Sequence, residues 1–183
     1  PAAVLAGPPE AAAAVAPARA RGGWTIKHDG HVPLSGGVLL TPLSFAPEGD
    51  EYDLVIHFHG DVQIVRESIE HAGVNAALAV INWGINSGPY REPYQRGGEF
   101  EKLLAQIDEG LTSRGLRKPK LRRLALISWS AGYGAIESVL ENRVSPAPDD
   151  DPLDAIIALD GVLAGFVDRD PGRLALTTIN TFT

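Results

Sequence analysis

The feature that most constrains this chain is Arg122–Asn142, RRLALISWSAGYGAIESVLEN, where a short apolar run meets a tight turn of small residues and then a helical pattern. Leu124–Ile127 reads as a buried parallel strand, and Ala131, Ala135, Ile136, Val139 and Leu140 recur at helical spacing. Ser130 stands at the join, in a turn that Ser128, Ala131, Gly132 and Gly134 keep narrow enough to be this sharp. A serine there has two readings. It is an N-cap, the commonest use of serine before a helix, or a nucleophile held where unpaired backbone N–H groups favour developing negative charge. The setting between a strand and a helix favours the second.

With 183 residues, 44% of them hydrophobic and 21% charged, the chain is long enough for one core of ordinary composition. Its net charge of −7 argues against nucleic acid or an anionic membrane as a partner. The absence of cysteine removes disulfides, thiolate zinc sites and a cysteine nucleophile. No apolar run is long enough for a membrane span. Residues 1–20 are rich in alanine and proline and read as a linker or a processed segment, compatible with export to the periplasm or medium. Residues 21–183 form the domain.

Within that domain, Trp24–His28 and Val38–Thr41 predict an antiparallel pair at the sheet edge, joined through Pro33 and Gly36-Gly37. A central strand through Leu54-Val55-Ile56 ends in His57-Phe58-His59-Gly60-Asp61, and Val65, Ile69 and Ala72 mark a helix that Gly73 stops. Ala77–Ile81 is the next strand, followed by a long loop through Trp83 and Tyr90. Phe100, Leu103, Leu104, Ile107 and Leu111 line one face of a helix from Glu99 to Arg114. Arg117–Arg123 reads as a solvated approach to the strand before Ser130, Ala155–Leu159 as a strand ending at Asp160, and Leu174–Phe182 as a last strand. Strands alternating with helices predict an α/β fold, a mostly parallel central sheet with helices on both faces and an antiparallel pair at the N-terminal edge. The His-Gly, Ser130 and Asp160 segments then all fall at carboxyl ends of strands, where such sheets bind ligands.

The string Ser128-x-Ser130-x-Gly132 between strand and helix resembles the nucleophile elbow of the α/β-hydrolase superfamily, with Ser128 in place of the usual first glycine. The resemblance extends over the element order from Trp24 onward, and His59-Gly60 matches the family's His-Gly string after the strand that precedes the first helix. It implies a serine esterase-like hydrolase acting on a small-molecule or polymer-derived acyl substrate, without a cofactor or metal. Ser130 would be the nucleophile. The oxyanion hole would comprise the Gly60-Asp61 turn and Ala131, with the amides of Asp61 and Ala131 as donors, although many members carry a second glycine where this chain has Asp61. Asp160 would orient and stabilise the catalytic histidine, or else is the first residue of an Asp-Gly turn. The family's order of Ser, acid and His places that histidine after Ser130, whereas His28, His31, His57, His59 and His71 all precede it. The histidine is therefore expected beyond residue 183, in a continuation of this chain or a second one, with His59 as the substitute near at hand.

Two other functions follow from the same residues. Without a base, the chain would be a binding domain of hydrolase architecture. His57-x-His59-x-Asp61 also resembles part of the metallo-β-lactamase motif, and a metal held by His57, His59 and Asp61 would give a metal-dependent hydrolase. Val62 stands where that motif closes with a histidine. His59, Trp83, Tyr90 and Trp129 are the candidates for contact with substrate, their rings suited to a sugar, acyl or aromatic group, and Arg91 and Arg96 suit a carboxylate.

Overall fold

The computed structural model describes residues 25–144 and 150–160, together with the backbone of strand Ala175–Ile179. Seven strands form one sheet: β1 (Val32–Leu34), β2 (Gly37–Leu40), β3 (Glu51–Phe58), β4 (Ala77–Ile81), β5 (Lys120–Trp129), β6 (Leu153–Leu159) and β7 (Ala175–Ile179), in the spatial order β1-β2-β4-β3-β5-β6-β7. β1 and β2 are antiparallel to their neighbours, and β4, β3, β5, β6 and β7 run parallel. The fold is α/β, as the alternation of strands and helices predicts.

Among the described residues there are four α-helices: α1 (Val62–His71), α2 (Ser87–Arg91), α3 (Glu99–Arg114) and α4 (Tyr133–Asn142). Leu54 to Phe58 of β3 are all buried, and the two faces of the strand build two separate cores. Leu54, Ile56 and Phe58 pack with Leu103, Ile107 and Leu111 of α3 and with Ala135, Ile136 and Val139 of α4. Val55, on the opposite face, packs with Val65 of α1 and with Leu78 and Val80. The path from β3 through α1 to β4 steps one way along the sheet, whereas those through α3 and α4 step the other way. Crossovers of a single hand therefore place α1 on one face and α3 and α4 on the other. The reversal occurs between β3 and β5, which puts the topological switch point, and with it the ligand crevice of such a sheet, above the carboxyl ends of these two strands.

Three expectations are corrected. The first edge strand is Val32–Leu34, not Trp24–His28: Trp24 lies outside the described residues, Thr25–His28 has no strand pairing, and Pro33 pairs with Val38. Proline lacks a donor for a ladder and is confined to such an edge. The basic run does not merely approach β5 but forms its first half, because Lys120, Arg122 and Arg123 find carboxylates at Glu51 and Asp53 on β3. The long loop after β4 contains α2 and a following 3₁₀ turn, Glu92–Tyr94.

Candidate active site

Three non-glycine residues among those described have a positive φ: His59 at 66°, Ser130 at 46° and Asp160 at 53°. Each immediately follows a parallel strand, and β3, β5 and β6 are neighbours in the sheet. In the ladders Phe58 lies opposite Ser128, and Trp129 opposite Leu159, so the chain leaves the sheet at one level on all three strands. Left-handed backbone costs a side-chain-bearing residue of order 1 kcal/mol or more, and it persists only where surrounding structure enforces it.

At Ser130 the enforcement is close packing. The backbone turns through a 3₁₀ segment, Ser130–Gly132, into α4. A Cβ on Gly132 would stand 2.2 Å from the carbonyl oxygen of Phe58, and one on Gly134 would stand 2.6 Å from that of Ser87, so both positions require glycine. The turn is thereby pressed against the end of β3. Ala131 lies in the first turn, where helix geometry leaves amides without an intrahelical acceptor.

The His59–Asp61 turn is held from three sides. The Asp61 carboxylate caps α1, accepting from the amides of Gln63 (2.9 Å) and Ile64 (3.0 Å). Asn82 brackets Gly60 with its carboxamide, which accepts from the Gly60 N–H at 3.0 Å and donates to its carbonyl at 2.9 Å. The His59 Nδ1 lies 2.7 Å from the hydroxyl of Tyr90, which donates to the carbonyl of Gly84 at 3.0 Å, and the His59 ring stacks on Trp129 with centroids 5.2 Å apart. The Gly60 amide, which is not one of the two expected oxyanion donors, is therefore occupied by Asn82. Gly60 serves instead by its lack of a side chain, since a Cβ there would meet Val65 at 2.9 Å and the His57 ring at 3.0 Å.

The predicted substrate-facing residues separate. Trp129 is 47% exposed at the site and lines a groove of about 560 Å³ with Gly60, Asp61, Ile64, Ile127 and Leu159. Tyr90 is fully buried and contacts His59 rather than open space. Trp83 is half-buried, with its indole against Gly36 in the β1–β2 turn. Arg91 pairs with the buried Glu137 of α4, so it is not left open for a ligand carboxylate. Asn82 was not among the predicted site residues, and nothing local in the sequence marks it.

His57, His59 and Asp61 do not assemble as a metal site. His57 points beneath Gly60 on the α1 face and is 7% exposed, while the Asp61 carboxylate is engaged with α1. Among the described residues no group of three or more histidine, aspartate or glutamate side chains is arranged to hold a metal ion. Burial, aided by the nearby His59, pushes the pKa of His57 down to about 4, so it is neutral at pH 7, and its Nδ1 has no hydrogen-bond partner among the described residues.

No protein-family model and no curated protein matches the chain. Among solved structures it is similar to a histone deacetylase from Saccharomyces cerevisiae, with a TM-score of 0.37 and 10% identity, over 83% of this chain and 77% of that one. Among the described residues no helix is long and apolar enough to cross a membrane.

Proposed function

We propose that the protein is a serine hydrolase of the α/β-hydrolase type, acting on an ester or related acyl substrate. The observation that carries this reading is the placement of left-handed Ser130 and Asp160, with left-handed His59, at three adjacent strand ends on the switch point of the sheet. Ser130 Oγ attacks the acyl carbonyl carbon and passes its proton to a histidine that follows Asp160 in the family's chain order. The tetrahedral oxyanion is received by the amides of Asp61 and of Ala131. Collapse expels the alcohol, which takes the histidine's proton, and water then releases the acid from Ser130 by the same route. Asp160 holds the histidine's tautomer and stabilises the imidazolium.

A fluorophosphonate probe tests the assignment by forming a covalent bond with an activated serine. Full-length protein is expected to be labelled, and Ser130→Ala to abolish the labelling. Equal labelling of the variant would remove Ser130 from the mechanism, and no labelling of the wild type would favour a binding domain without chemistry.

A further inference from the structure

The loop after β4 touches both halves of the proposed site. From Asn82 it brackets Gly60, and from Tyr90 it reaches His59. It is fastened to the elbow helix by the Tyr133 hydroxyl, which donates to Ser87 Oγ at 3.3 Å, and by the Arg91–Glu137 ion pair. Tyr90 has one hydroxyl proton and gives it to the carbonyl of Gly84. Its oxygen can then only accept from His59, so Nδ1 of His59 carries the ring's proton. Nε2, the other ring nitrogen, then carries the ring's free lone pair, and His59 is only half-buried.

We propose that Tyr90 is a positioning residue: it fixes His59 as the Nδ1–H tautomer, holds the Gly60-Asp61 turn open as an anion site and leaves the His59 Nε2 lone pair as a hydrogen-bond acceptor at the crevice. His59 is left-handed, so its side chain and the peptide that follows cannot relax independently: releasing the ring removes one of the three holds on the turn that aims the Asp61 amide. The identity of the anion, a tetrahedral oxyanion on Ser130, rests on the hydrolase reading. The tautomer does not.

Long-range ¹H–¹⁵N correlation on protein labelled at histidine reads the tautomer directly, with the His59 signals assigned by their loss in His59→Gln. Wild-type His59 is expected as Nδ1–H, and Tyr90→Phe, which keeps the buried ring and drops only the hydroxyl, is expected to convert it to a mixture of tautomers. With p-nitrophenyl acetate, Tyr90→Phe should lower kcat by about ten- to a hundredfold while KM stays within about twofold, the signature of an interaction realised in the transition state. An Nε2–H tautomer in the wild type overturns the proposal without any variant having to fold. So does a Tyr90→Phe protein whose tautomer is released while kcat is unchanged. A wild type without esterase activity would count against the hydrolase reading, and the positioning role would then stand or fall on the nitrogen spectra of wild type and Tyr90→Phe.

Discussion

The two ends of the central strands are built on opposite terms. At the amino ends of β3 and β5 the ladder takes a bulge between Tyr52 and Asp53, but no described non-glycine residue is left-handed there and every charge faces another: Lys120 with Glu51 at 2.8 Å, and Arg122 and Arg123 with Asp53. At the carboxyl ends the backbone is left-handed at three consecutive strand exits, and His57 Nδ1 and Ser128 Oγ, both buried, have no partner among the described residues. An unpaired buried polar group costs about 1–3 kcal/mol, so the carboxyl edge carries expenses that the amino edge avoids. The contrast separates residues that stabilise the fold from residues that cost it.

The sharpest way to break this contrast is Asp160→Asn. An acid that sets a histidine's tautomer should lower kcat by about three to four orders of magnitude when neutralised, equivalent to roughly 4–5.5 kcal/mol of barrier, with little change in melting temperature. An enzyme within a few-fold of wild type would return Asp160 to the amino edge's category, as a residue that only makes a turn.

His57 is the intermediate case. Its folded pKa of about 4 lies below the unfolded value near 6.5, so the unfolded chain binds more protons between these limits and stability falls as pH drops through the window. The loss should reach about 3 kcal/mol by pH 4. His57→Leu removes this proton uptake, so denaturation curves at pH 7, 5.5 and 4 should show wild type losing stability relative to the variant. Parallel curves would mean that His57 is not held neutral by burial.

The smallest effect belongs to Asp53. Burial raises its pKa, but hydrogen bonds from Arg122 and Arg123 outweigh this and leave it below the ordinary carboxylate range. Its contribution is therefore complete above the unfolded value of about 3.9 and is lost as pH falls through the lower folded value. Asp53→Asn should lower the melting temperature slightly at pH 7, less so in high salt, and leave kcat untouched. A fall in kcat would erase the distinction between the two edges.

What could be read in advance follows from the range of the interactions. The β5–turn–α4 unit was legible because strand period, small-residue turn and helical spacing are all local, and Ser130, His59 and Asp160 were marked by standing at the ends of apolar runs. The β1 strand was misplaced because Val32-Pro33-Leu34 is too short to show a period and its pairing is supplied by β2. Asn82 and Tyr90 were opaque for a different reason. Their partners, Gly60 and His59, lie 22 and 31 residues away, and nothing near either residue announces a carboxamide bracket or a buried phenol aimed at an imidazole.

The pairing of β3 with β5 also bears on how the chain reaches its native state. Lys120 and Glu51, at the start of that ladder, are separated by 69 residues, so the crevice cannot exist until a loop of that length has closed. Pairing across such separations makes for slow folding, and until β5 arrives the far edge of β3 is an open template for other chains. Cellular yield should therefore depend on how quickly β5 finds β3, and substitutions in α3, which lies between them in the chain, would alter solubility during synthesis even where they leave the finished protein unchanged.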